Sequence, residues 1–342
     1  MHMADALLSP AVGLTMSAVS AAAIGMSVAK VNKDELSERK VPIMGVAGAM
    51  VFAGQMVNFA IPGTGSSGHI GGGILLAGLL GGVPAFLSIS AVLVIQCLFF
   101  ADGGLLALGC NIFNMGLVPC LIIYPLLFKP LLKNGINSRR LSAASVASSM
   151  AALELGALCV VLQTLLSGIT VLPFGTFAAL MLPIHLAIGL VEGIVTSAVL
   201  AFVYKMRPEI IDSAQSGRRI GNISTKKALA VLAILTIIVG GGLSMLASAN
   251  PDGLEWAVGK AMGKSAGVED GLKAGGTLAS SAASLQEKTA LLPEYSFAQD
   301  PDNAAGAPVS GVLGAAAAFA LAGASGLTIS RIKKHKRARA DV

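Results

Sequence analysis

Three residues carry the chemistry that the rest of this 342-residue chain has to serve: Met1, His2 and His69. A histidine in second position offers a metal ion its imidazole, its own backbone nitrogen and the free amine of Met1, three nitrogens in one plane. His69 closes the glycine-rich stretch Gly63-Thr64-Gly65-Ser66-Ser67-Gly68-His69 and is placed to supply a fourth. Four coplanar nitrogens suit nickel(II) or copper(II), whereas imidazole alone also suits cobalt and zinc. Thr64, Ser66 and Ser67 are candidates for the hydrogen bond that fixes the tautomer of His69.

A second set of polar residues stands inside apolar sequence. Asn111 and Asn114 lie one helical turn apart, so they share a face that either lines a site or bonds to a neighbouring helix. Asp102 precedes them and either caps that helix or attracts a cation. His185 and Glu192 are two turns apart; an ionisable residue in a membrane helix is costly and is a functional candidate by default. The spacing predicts that His185 lines the pocket and that Glu192, deeper in its span, holds helices together. The pair acting as a proton relay in a self-sufficient ion-coupled carrier is the alternative.

Other chemistries are excluded or unsupported. The glycine-rich stretch lacks the Gly-Lys-Ser/Thr ending of a phosphate loop, so ATP hydrolysis is not expected of this chain. No nucleophile–base pair or carboxylate dyad stands out, and no cofactor is indicated. Cys97, Cys110, Cys120 and Cys159 lie in apolar runs without CxxC spacing and read as small core residues. The net charge of +6 comes from short basic clusters between apolar spans, a pattern of membrane orientation and not of nucleic-acid binding.

The elements that must position these residues are membrane helices. Hydrophobic residues make up 54% of the chain and charged residues 12%, far from soluble composition. Apolar runs of bilayer length occur at roughly 8–29, 41–61, 141–169, 177–204, 228–249 and 308–330. Residues 70–128 are too long for one helix and fit three passes, near 69–82, 84–101 and 105–128, with the first two short and open to a re-entrant form. Lys and Arg number four in 30–40, four in 129–140, six in 205–227 and six in 331–339, which accounts for 20 of the 24 in the chain. By the positive-inside rule these segments are cytoplasmic, which puts the N-terminus and the His69 stretch together outside and the C-terminus inside. Lys30 is the first basic residue, so the start does not read as a signal peptide, and Met1 is expected to stay in place. Ser9 and Pro10 are suited to cap and open the first helix. That helix also carries the small-residue stripe Ala21, Gly25 and Ala29.

The chain divides into a core at 1–210, a basic linker at 211–227 and a module at 228–342. Between its two spans the module has an external segment with eight acidic residues: Asp252, Glu255, Glu269, Asp270, Glu287, Glu294, Asp300 and Asp302. Its richness in Gly, Ala and Ser predicts a loosely ordered, solvated loop, with an acidic funnel for cations as the lesser alternative.

Four separated motifs resemble the CbiM/NikM family: the start Met1-His2-Met3-Ala4-Asp5-Ala6-Leu7-Leu8-Ser9-Pro10, the loop Pro62 to His69, the run Phe100 to Met115, and His185-Leu186-Ala187-Ile188-Gly189-Leu190-Val191-Glu192-Gly193. Members are substrate-binding membrane components of energy-coupling factor transporters for cobalt or nickel. The stretch Asn250-Pro251-Asp252-Gly253-Leu254-Glu255-Trp256 resembles the small companion CbiN/NikN, here fused. The resemblance implies a seven-helix metal-binding core with Met1, His2 and His69 as ligands, in the cytoplasmic membrane of a prokaryote. It also implies a separate transmembrane coupling subunit (CbiQ/NikQ-like) and cytoplasmic ATPases (CbiO/NikO-like). The expected fold class is an all-α polytopic membrane protein with a two-helix C-terminal module, and the expected cargo is Co(II) or Ni(II).

Overall fold

Ser9 and Pro10 start the first long helix as their types predict. The computed structural model describes residues 1–31, 36, 39–169, 172–221, 224–263 and 276–340. In it α1 runs Pro10–Lys30, and Val12 N donates to the Ser9 hydroxyl at 3.4 Å. The core continues with α2 (Val41–Gln55), α3 (Gly73–Leu80), α4 (Gly82–Phe100), α5 (Leu108–Leu131), α6 (Ser138–Ser167) and α7 (Phe174–Met206). A short α8 (Pro208–Ser216) follows, then α9 (Lys226–Gly241), α10 (Gly253–Ala261), α11 (Gly276–Thr289) and α12 (Gly306–Ala340). Lys33 of the first basic cluster, and Glu269 and Asp270 of the acidic set, lie outside the described residues.

The protein is an all-α integral membrane protein with a seven-helix core, α1 to α7, and two further membrane helices, α9 and α12. Among the described residues, seven helices are long and apolar enough to cross a bilayer, five in the core and two in the module. The remaining two core passes depart from the expected spans. The second pass is helical only to Gln55; the chain then turns into a hairpin in which β1 (Phe59–Ile61) pairs antiparallel with β2 (Ser66–Gly68), with Phe59 opposite Gly68. The third pass, expected as a helix over 69–82, has eight helical residues, about 12 Å of rise.

The physical reason for that short third pass lies in its glycines and its surroundings. Gly72 has φ +78°, which turns the chain from the extended His69 segment into α3. Every residue of α3 is buried, so its irregular entry faces protein and not lipid. Its free N-terminal amides are satisfied by Glu192 of α7, whose carboxylate accepts from Gly71 N at 2.7 Å and Gly72 N at 3.1 Å. At the other end the buried Lys40 ammonium donates to Leu80 O at 3.4 Å. An anion at the N-terminus and a cation at the C-terminus both oppose the dipole of α3 favourably.

Within the bundle α4 is central and α1 and α9 are peripheral: 78% of the α4 span is buried, against 22% of each of the other two. α5 has wide turns over Phe113–Phe128, where Pro119 and Pro125 each lack an amide donor. The expectation of a loosely ordered external segment is overturned over its described part. Residues 248–262 and 276–306 fold onto the core through named bonds: Ser248 N to Asn58 O at 2.8 Å, Ser67 N to Pro251 O at 2.8 Å, and Leu291 N to Phe99 O at 2.9 Å. Low aromatic content misled here because backbone groups, a few polar side chains and the buried Leu254, Ala257 and Val258 make the contacts, with Tyr295 alone stacked on Phe100 among the described aromatics of the segment.

Candidate metal centre

The terminal tail is held at nearly every residue. Met3 is fully buried, and its backbone exchanges two bonds with one side chain: Met3 N donates to Asn111 Oδ1 at 2.8 Å and Asn111 Nδ2 donates to Met3 O at 3.3 Å. Gly104 N also donates to Met3 O at 2.9 Å, and the Asp5 carboxylate accepts from Ala107 N at 2.9 Å. A side chain at Gly104 would overlap the Asp5 carboxylate, so the loop before α5 needs glycine for the tail to lie against it. Asn114 sits one turn on and pairs with Gln163 of α6, as donor at 2.8 Å and as acceptor at 3.0 Å.

This anchoring brings Met1, His2 and His69 together. The His2 and His69 rings stack with centroids 5.3 Å apart and planes 19° from parallel. His69 Nδ1 lies 3.0 Å from Ile70 O and donates to it, which leaves Nε2 with the lone pair. The expected tautomer partners Ser66 and Ser67 do not fill that role. Ser66 pairs with Thr64, and Ser67 Oγ donates to Asn250 O at 2.7 Å, so both fix the hairpin and its dock.

Two carboxylates face the terminal dipeptide. The Met1 ammonium donates to Asp252 Oδ2 at 2.9 Å, and His2 Nδ1 lies 3.2 Å from Asp102 Oδ1. Asp252 does two jobs: its Oδ1 accepts from Glu255 N at 2.8 Å to cap α10, completing a capping box with Glu255. Asp102 in turn accepts from the Tyr295 hydroxyl of the module. Three non-glycine residues have positive φ among those described, Ala101, Glu294 and Tyr295, and they meet at this contact. Gln286 Nε2 of α11 donates to Gly103 O at 2.6 Å, tying the same loop to the module.

The electrostatics keep the imidazoles neutral. Burial lowers the affinity of His2 for a proton and outweighs the opposing pull of Asp102. Burial, then the terminal ammonium and His2, bring His69 down to about 4. Burial alone would raise Asp252, but the Met1 ammonium and the Glu255 amide hold it below its usual value. Burial and the Asp102 charge push the Tyr295 phenol up, so it is a donor to Asp102 at neutral pH.

Met1, His69, Asp252 and His185 line a cavity of about 10 Å³, room for one water- or ion-sized species. His185 is 1% exposed, and its Nδ1 is fixed on Met181 O at 2.8 Å. Glu192 is spent on the Gly71 and Gly72 amides, and no hydrogen bond joins it to His185 among the described residues. The proton-relay alternative therefore lacks an assembled path. No three His, Cys, Asp or Glu side chains converge at ligand spacing among the described residues, so side chains alone do not make a metal site. The terminal amine and the His2 peptide nitrogen have to complete one.

Comparison with known proteins bears on the same residues. The family described as "Cobalt uptake substrate-specific transmembrane region", CbiM, matches residues 2–210, and the PDGLE domain matches residues 226–331. The chain belongs to the CbiM family. A protein of Archaeoglobus fulgidus named as a fused nickel transport protein, NikMN, is 32% identical over 242 residues, covering 70% of this CbiM-family chain and 75% of its own length. The cobalt transport protein CbiM of Sorangium cellulosum is 33% identical over 175 residues, covering 51% of this chain and 77% of its own. The crystal structure of a truncated transition metal transporter superposes with a TM-score of 0.53 at 28% identity, covering 60% of this chain and 99% of that one. The CbiM match covers the helices that hold Met1, His2 and His69; the PDGLE match covers the segment that supplies Asp252 and Tyr295.

Sequence reasoning missed those last two residues, together with Gln286 and Trp256, whose Nε1 donates to Thr64 O at 2.9 Å. One signal was present for Asp252: Asp followed three residues later by Glu marks a helix start, and an ordered helix needs something to pack on.

Proposed function

We propose that this chain captures nickel(II) or cobalt(II) at the outer face of a prokaryotic cytoplasmic membrane, as the metal-specific membrane component of an energy-coupling factor transporter. The ligands are the Met1 amine, the backbone and imidazole nitrogens of His2, and His69. The observation that carries this reading is the stacked, neutral His2–His69 pair beside the Met1 amine at a cavity of ion size. The distribution of basic clusters supports the orientation with Met1 outside.

Chelation by amine, peptide nitrogen and imidazole of one His2 closes a five- and a six-membered ring, and the six-membered ring uses Nδ1. In the structure Nδ1 faces Asp102, so the ring turns away from that carboxylate to bind metal. An amine bound to metal keeps two hydrogens, so Asp252 retains its hold and orients the lone pair. The module thus positions the terminus through Asp252 and steadies the His2 partner through Tyr295. Release inward falls to partners this chain does not contain, a coupling subunit and ATPases, which supply the energy. Metal content of the purified chain with a native amino terminus tests the site: about one ion per chain is expected, lost on acetylation of Met1. Unchanged binding after acetylation would sink it.

A further inference from the structure

A planar chelate of four nitrogens holds its ion tightly and lets go slowly. Ligand exchange at a square-planar d⁸ ion is associative: a fifth donor approaches above the plane before any of the four departs. A release mechanism therefore needs a lone pair poised beside the plane. Asp252 is occupied by the Met1 amine and the Glu255 amide. The Gln55 amide is occupied by Gly71 O and Gln96, and Glu192 by two backbone amides.

Among the described residues of the cavity wall, His185 is the nitrogen or oxygen donor outside the proposed ligand set that fits that description. Donation from its Nδ1 to Met181 O puts the lone pair on Nε2. That Nε2 is fully buried and has no hydrogen-bond partner, a costly state for a polar atom. It lines the same cavity as Met1 and His69, and Gly253 leaves room for the ring, since a β-carbon there would come within 3.1 Å of His185 Cε1. Ile188 and Leu153 form apolar walls that exclude competing water.

We propose that His185 is the entering ligand that starts release of the captured ion toward the interior of the core, by displacing His69 while Met1 and His2 keep their hold. The inference rests on the capture site proposed above. In the step, the His185 Nε2 lone pair forms a bond to the ion and the His69 Nε2 bond breaks. One neutral imidazole replaces another, so neither charge nor proton count changes.

The test uses the purified full chain with its native amino terminus, loaded with nickel(II), and follows transfer of the ion to an added chelator. The expected result for His185→Gln is wild-type stoichiometry, an unchanged absorption spectrum and affinity within about threefold, with transfer slowed about tenfold or more. His185→Ala is expected to behave alike, with free imidazole in the buffer restoring its rate by a larger factor than it accelerates wild type. Unchanged transfer in both variants overturns the role. So does collapse of spectrum and affinity together, because His185 would then belong to the resting ligand set. Failure of the capture site itself is a separate result: tight binding that survives both Met1 acetylation and His69→Ala would overturn both readings, whereas normal capture with unaltered exchange overturns only this one.

Discussion

The core and the module build with opposite means. In the core, α3 and the middle of α4 are buried on all sides, and position comes from close packing and reciprocal amide pairs such as Asn111 with Met3 and Asn114 with Gln163. In the module the membrane helices are mostly outward-facing, with 22% of α9 and 33% of α12 buried. Its contribution to the site comes from the segment between them, through a handful of polar contacts. The core carries the proposed ligands, the module the carboxylate on the amine and the hydroxyl on Asp102. The proposed donors and the groups bonded to their partners are thus divided between two regions.

If the core holds the ligands, blocking Met1 or removing His69 gives the largest losses. One added residue before Met1 removes the amine and shifts His2 out of second position; nickel affinity is expected to fall by more than about 100-fold, beyond the 10–100-fold usual for loss of an outer-shell partner. His69→Ala is expected to fall about as far, read by isothermal titration. A module-first view predicts that neither change matters while Asp252 is intact, and either null result would break the division drawn here.

Asp252→Asn tests the other half. Asparagine caps a helix about as well as aspartate, so α10 should stay folded while the anionic partner of the amine is lost. We expect about a tenfold fall in affinity. Trp256, the one tryptophan of the chain, reports on the dock because its indole bonds to Thr64 O at 2.9 Å. A large red shift of its emission in Asp252→Asn would mean that the module had come away, and that the fall measured docking and not the ion pair.

Much of the core was legible in sequence because its signals are local. Charge clusters counted the passes, Ser9 and Pro10 marked a helix start, and Met1, His2 and His69 stood out by type. What was hidden depends on contacts between residues far apart in the chain. The pass at His69 reads as an apolar helix; only Glu192, 120 residues on, lets Gly72 start a short helix at depth. The segment between α9 and α12 reads as solvated because its composition is polar and small, yet Asp252 meets Met1 across 251 residues. Composition reports the average environment of a segment, and a few well-placed bonds are invisible in an average.

A smaller effect follows from the neutral imidazoles. His69 titrates at about 4 in the folded protein and near 6.5 when unfolded. The unfolded state therefore binds more protons below about 6.5, so this group's stabilising contribution is full above that pH and is lost as pH falls through about 4. The metal-free chain should lose thermal stability over that window, and less so in His69→Gln. Capture from pH 8 to 6 should still weaken with acid, because the amine and the His2 peptide nitrogen must shed protons, and the slope should be the same in His185→Gln.

The smallest expected change is Tyr295→Phe. It deletes one hydroxyl, keeps the ring stacked on Phe100 at a 5.0 Å centroid distance, and leaves Asp102 in place for His2. A hydrogen bond to a charged acceptor contributes roughly 1.5–3 kcal/mol net. Most of that falls on docking, because the hydroxyl belongs to the module and the carboxylate to the core. Metal affinity should change no more than about threefold, while protection of the Phe297 to Gly306 amides against hydrogen exchange drops. In the double variant with Asp102→Ala the loss of protection should not add, since each single change already breaks the same contact. Unchanged protection in Tyr295→Phe would show that Tyr295 anchors the module through its ring alone, and that its hydroxyl contributes nothing to the link between the two regions.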